Sequence, residues 1–119
     1  MSKRSLSWFI VLTLALSASP VLAGKAAIRS PESGVLCDRY FCATRMGVSR
    51  EMTEKHLGRS AVARLYSHGD FDSTEFTFAN GVFCDAKERV CRQDRYFGKD
   101  GKRSGTISDK YTRILFQRD

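Results

Sequence analysis

The chain has 119 residues, 20 Lys and Arg against 13 Asp and Glu, a formal net charge of +7 and 42% hydrophobic residues. That length excludes a succession of domains and leaves room for one domain with one modest core. The positive surplus permits attraction to lipid head groups, envelope polymers or nucleic acid, but solubility alone accounts for a charge of this size.

The first segment reads as a targeting signal. Lys3 and Arg4 precede an apolar run at 8–16, Pro20 follows, and Val21 and Ala23 prepare a cut after Ala23. A basic start, a short apolar run and a small-residue exit make a secretory signal peptide at 1–23. The run falls short of the roughly 20 residues a membrane span needs, and no later run is longer. Lys25 stands where a lipoprotein box would require cysteine, so no thiol is offered there for an acyl anchor. Cleavage leaves 96 residues with a net charge of +5, since Lys3 and Arg4 leave without an acidic residue. Residues 24–32 lack periodicity and contain Pro31, which predicts a flexible leader before a single domain at 33–119.

A first strand-like piece follows at 34–43. The segment 47–69 reads as helical, with Ser49 as N-cap, Glu51 in the first turn and a Glu51–Lys55 pair one turn apart. Gly58 should divide it into two short helices and Gly69 should end it. Val62, Leu65 and Tyr66 give the second piece an apolar face. The run 73–85 then alternates, with Phe76 and Phe78 on one side and a two-residue turn at Asn80-Gly81. That turn puts Phe78 opposite Phe83 and Thr77 opposite Cys84. A third strand near 89–97 extends the hairpin at 75–85, and its pairing sets Arg92 beside Phe83, which conflicts with a dry face there, so a slipped register or a bulge is expected. A turn at 99–102 and a final helix follow. Ser108 caps that helix, and Tyr111, Ile114 and Leu115 form its packing stripe. The fold class expected is α+β, a small antiparallel sheet with two or three short helices.

All four cysteines, Cys37, Cys42, Cys84 and Cys91, lie beyond the signal. An even count in a small exported chain predicts two disulfides, and the spacings match neither a zinc knuckle nor a thioredoxin-type redox pair. Two connectivities compete. Local pairing, 37 with 42 and 84 with 91, closes one hairpin per bond; long-range pairing, 37 with 84 and 42 with 91, ties the halves together. Chain entropy favours the long loops, at about 4 kcal/mol each against about 2.5. Hairpin geometry favours the local scheme, because a four-residue loop at 86–89 sets Cys84 opposite Cys91 at a close, non-hydrogen-bonded pair. The cysteine segments also resemble each other: Gly-Val-apolar-Cys-Asp occurs at 34–38 and 81–85, and Asp-Arg-Tyr-Phe at 38–41 and 94–97. This suggests duplication of one hairpin.

The segments GVLCDRYFCA, GVSREMTEKHLG, GDFDSTEFTFANGVFCD and DRYFGKDGKRS, in that order, resemble the YcgJ (Fels prophage protein-like) family of short exported bacterial proteins. The likeness covers most of residues 30–116. It implies a periplasmic setting in a Gram-negative bacterium and carries over no catalytic residue. The four cysteines match the family's cysteine positions, which agrees with structural disulfides.

Little in the chain suggests catalysis. His56 and His68 could serve a ribonuclease-like reaction only if they met, and both fall in segments expected to be exposed. Asp70, Asp72 and Glu75 cluster in 70–75, but the glycine and glutamate of a calcium loop are missing. Neither a nucleophile elbow nor a phosphate-binding glycine pattern occurs. No cofactor or metal is expected. The remaining signal is basic and aromatic: Arg39, Tyr40, Arg95, Tyr96, Lys99, Lys102 and Arg103 could form a cationic face with exposed rings. The leading expectation is a non-enzymatic periplasmic binding module for an anionic envelope component, with no nucleic-acid partner and no span in the mature chain. A protein-targeted inhibitor or accessory factor of an envelope enzyme is the alternative, and a hydrolase using His56 or His68 the weaker one.

Overall fold

Two tight hairpins, each closed by its own disulfide, organise the structure. In the computed structural model, which describes residues 27–117, they are β1 (Leu36–Cys37) with β2 (Cys42–Thr44), and β5 (Phe83–Asp85) with β6 (Val90–Arg92). Cys37 bonds Cys42 and Cys84 bonds Cys91, so pairing is local. Each bond joins residues directly opposite in the ladder, with Cα atoms 4.1 and 4.0 Å apart. That separation marks the close type of antiparallel pair, where the side chains meet. The expected signal peptide at 1–23 and the start of the expected leader lie outside the described residues.

The second hairpin extends on its other side to β4 (Glu75–Thr77), and β2 pairs with β3 (Gly47–Val48), giving two three-stranded antiparallel sheets. Three helices complete an α+β fold: α1 (Arg50–Leu57), α2 (Arg59–Leu65) and α3 (Asp109–Phe116). Ser49 and Ser108 cap α1 and α3 through their hydroxyls, and Gly58, at φ 96°, divides α1 from α2. Gly69, also at positive φ, closes the turn after α2 with its N–H on the Tyr66 carbonyl.

The β4–β5 hairpin departs from expectation by one residue. Phe76 faces Cys84 and Thr77 faces Phe83, while Phe78 and Val82 exchange a hydrogen bond around a three-residue turn, 79–81. The physical reason is the dry face. Only this register puts Phe76, Phe78, Val82 and Cys84 on one side with Cys91, where they form the core with Leu115 and Phe116. Phe83 therefore points to the opposite face with Arg92, its ladder partner. The slipped register or bulge expected between β5 and β6 does not occur: Phe83 pairs with Arg92, and the conflict disappears because Phe83 does not belong to the core cluster.

Residues 28–32, expected within a flexible leader, are tied down. Arg29 exchanges both backbone hydrogen bonds with Cys37, and the Glu32 carboxylate takes Lys55 Nζ at 2.9 Å and His56 Nε2 at 2.7 Å. Lys55 thus pairs with Glu32 rather than with Glu51. The two donors, Lys55 first, hold the Glu32 carboxyl below the usual carboxylate range. A depressed carboxylate contributes stability above its unfolded pKa and loses it as pH falls through the folded value. Glu32→Gln should therefore flatten the acid limb of a stability-versus-pH curve, below about pH 4.5. An unchanged acid limb would show that the clamp contributes nothing.

The chain builds one module twice. In each copy the aspartate after the first cysteine caps the turn: Asp38 Oδ1 accepts from the Tyr40 and Phe41 amides, and Asp85 Oδ1 from those of Lys87 and Glu88. The residue after the second cysteine, Ala43 or Arg92, bridges the residue before the capping serine, Val48 or Ile107. The serine amide then donates to the second cysteine's carbonyl, Ser49 to Cys42 at 2.9 Å and Ser108 to Cys91 at 2.8 Å. Four residues on, a helix threonine accepts from the same cysteine's amide, Thr53 from Cys42 and Thr112 from Cys91, each at 2.9 Å. Both helices run for eight residues. The copies meet where Val48 N–H donates to the Ser73 carbonyl, and where Phe41 of the first stacks on Phe78 of the second, centroids 5.0 Å apart.

Equivalence has a consequence. Thr53→Val and Thr112→Val each leave one cysteine amide without its acceptor, and each should cost about 1–2 kcal/mol in urea unfolding. A neutral Thr112→Val beside a costly Thr53→Val would refute the equivalence.

Candidate ligand-binding face

The copies differ in one respect. Six residues separate Cys42 from Ser49, whereas sixteen separate Cys91 from Ser108. The additional chain forms a hairpin with Gln93 N–H on Thr106 O, Ser104 N–H on Tyr96 O and Gly98 N–H on Lys102 O. Its tip turns at Gly101, at φ 80°, with the Asp100 carboxylate accepting from the Lys102 amide. At its base Gly105 lies against Asp94, where a Cβ would come within 2.6 Å of the Asp94 carbonyl.

Arg103 holds this hairpin onto the sheet. Its guanidinium carbon lies 4.1 Å from the ring centre of Phe83 and 4.0 Å from that of Phe97, a cation between two rings. It also donates to the Arg95 carbonyl and lies 3.4 Å from Glu75. This covers Phe83, which is only 4% exposed although it faces away from the core. Arg92 supports the same layer through hydrogen bonds to the Gly105 carbonyl and to Glu88. Arg103, expected on the cationic face, thus also packs the hairpin against the sheet.

The other expected residues lie at the surface. Tyr96 is 62% exposed and Phe97 60%, with Arg95, Lys99 and Lys102 exposed beside them in the hairpin. Arg95, Lys99 and Lys102 make no ion pair among the described residues. Arg39 and Tyr40 are exposed on the first disulfide turn. That turn reaches the second copy through Asp38, whose Oδ2 accepts from the Ala79 amide at 2.6 Å. Ala79 in turn lines a cleft of about 300 Å³ with Gln93, Asp94, Arg95 and Tyr96. Asp94 and Gln93 are absent from the site residues expected from sequence; the repeated Asp-Arg-Tyr-Phe marks Asp94, and no sequence signal marks Gln93.

The histidines are differently placed. His68 is exposed, but His56, expected at the surface, is partly buried against Glu32. Asp72 caps its own loop by accepting from the Thr74 amide and hydroxyl, which holds its carboxyl below the usual range. Among the described residues no helix is long and apolar enough to cross a membrane.

Comparison with known proteins bears on this arrangement. No solved structure matches the chain. It is 55% identical over 89 residues to the Escherichia coli (strain K12) protein described as "Uncharacterized protein YcgJ", covering 75% of this chain and 73% of the relative. The family model described as "YcgJ protein" matches residues 28–116, which span both copies of the module and the inserted hairpin. This chain belongs to the YcgJ family.

Proposed function

We propose that this protein is a non-enzymatic periplasmic binding module that contacts an anionic component of the cell envelope through the inserted hairpin. One observation carries the reading. The first copy of the module closes with six residues, so the scaffold does not require the longer connection. That longer connection presents Tyr96 and Phe97 beside Arg95, Lys99 and Lys102. Exposed rings among unpaired cations are suited to stack on a flat ligand while drawing in its negative charge. The two disulfides, wholly buried, fit an oxidising compartment.

Thermal unfolding of the oxidised protein with lipopolysaccharide, peptidoglycan fragments or heparin tests this. A ligand at about 100 times its Kd adds about 2.7 kcal/mol, several degrees for a domain of this size. The expected result is a shift with an envelope ligand that survives about 0.15 M salt. The variant R95E/K99E/K102E should weaken that binding at least about tenfold without lowering its own melting temperature. No shift with any of the three would overturn the proposal.

A further inference from the structure

Asp-Arg-Tyr-Phe occurs twice, once as the closed disulfide turn at 38–41 and once on an arm of the inserted hairpin at 94–97, and the two share two local features. Asp38 Oδ1 accepts from the Tyr40 amide at 2.7 Å, and Asp94 Oδ1 from the Tyr96 amide at 3.0 Å. In each the arginine lies over the following ring, Arg39 at 5.1 Å from the centre of Tyr40 and Arg95 at 5.9 Å from that of Tyr96. Both tyrosines remain open, at 51% and 62% exposure. Neither arginine has a carboxylate in ion-pair range among the described residues. The two turns come from different copies of the module and from different places within it, so the scaffold's own repetition does not account for their likeness.

Both turns converge on the 79–81 turn. Asp38 grips the Ala79 amide, and Asp94, Arg95 and Tyr96 line the cleft whose other wall includes Ala79 and Gly81. The geometry points to a bipartite site for an acidic polysaccharide, in which each Arg–Tyr pair receives one carboxylate-bearing sugar. This rests on the binding reading above and specifies its ligand. A tyrosine ring offers a flat apolar face for a sugar's C–H groups, and a guanidinium matches a carboxylate in bidentate fashion. Two like platforms tied to one turn suit a ligand whose units repeat. The cleft beside Tyr96 has Gln93, Thr77 and Asp94 among its lining. An aspartate lining the cleft can accept from sugar hydroxyls, which a uronate polymer offers and a polyphosphate does not.

The test is calorimetric titration of the oxidised protein with a hexauronate from alginate, its free monosaccharide, and a polyphosphate of similar charge. Two linked contacts should make the hexauronate bind at least about 100-fold more tightly than the monosaccharide. Tyr40→Ala and Tyr96→Ala should each weaken the hexauronate about tenfold, with Tyr→Phe at either position restoring it. Both tyrosines are exposed, and unchanged melting temperatures would confirm that the variants fold. If only Tyr96→Ala weakens binding, the bipartite site is wrong while the hairpin remains a binding element. Tighter binding of polyphosphate would overturn the carboxylate preference. No hexauronate binding would overturn the ligand class, leaving the broader proposal to be judged by the lipopolysaccharide and peptidoglycan measurements.

Discussion

Asp38→Ala should lower the free energy of unfolding by about 3–5 kcal/mol, and Asp85→Ala by only about 1–2. The two aspartates are equivalent in the duplicated module, and each caps its own disulfide turn through two backbone amides. Asp38 does one thing more: its second oxygen holds the Ala79 amide across the junction between the copies. It is also 3% exposed, whereas Asp85 is only partly buried. Its loss strands three amides, that of Phe41 buried and those of Tyr40 and Ala79 part-buried, and an unsatisfied buried donor costs its full desolvation penalty. Asparagine retains one acceptor oxygen and should fall between. Chemical denaturation with urea measures all three variants. Equal costs for Asp38→Ala and Asp85→Ala would mean that the bond across the junction adds nothing.

Gly47→Ala should be costlier than any other glycine substitution in the first copy, at about 3 kcal/mol or more. Gly47 has φ 119°, and a Cβ there would lie 2.3 Å from the Ser73 carbonyl oxygen, which is backbone and cannot swing aside. That carbonyl accepts the Val48 amide, so the strain would open the seam joining β3 to the start of β4. Gly58→Ala isolates the conformational part of the cost. Its φ is 96° but nothing lies within 4 Å of the added carbon, so about 1 kcal/mol is expected. A Gly47→Ala no worse than Gly58→Ala would show that the seam yields easily.

The second cysteine hairpin was legible in the sequence because its register follows from a short loop. With Asp85 and Val90 closing four residues, Cys84 must face Cys91, and hairpin geometry then outweighs the entropy that favours long loops. The helices announced themselves through Ser49, Gly58 and Ser108. The β4–β5 register was harder, since Asn80-Gly81 reads as a two-residue turn. Val82 and Cys84 share a face, however, and burying them with Phe76 and Phe78 requires one residue more. Local turn chemistry lost to the core.

The duplication was visible only in its first half. The extra residues between Cys91 and Ser108 shift the second capping serine and its threonine out of step with the first, so the equivalence lies in hydrogen bonds rather than in spacing. The packing contacts of Arg103 were hidden for a related reason. Its sequence neighbours mark it as one cation among several, and only the outward turn of Phe83 shows that a ring needed covering. The exposed group of Arg39, Tyr40, Arg95, Tyr96, Lys99 and Lys102 could be named from sequence. That the two Arg–Tyr turns converge on one hairpin turn could not, because it depends on the contact between Asp38 and Ala79.

The most direct measurement is amide chemical-shift mapping of the oxidised, ¹⁵N-labelled protein titrated with the alginate hexauronate. Perturbations should concentrate at 39–41, 79–81 and 93–103, and their amplitudes should saturate together with a common Kd. Perturbations gathered instead around the cavity of about 820 Å³ beside Val35, Met46 and Ile114, or no saturable perturbation at all, would contradict the bipartite uronate site.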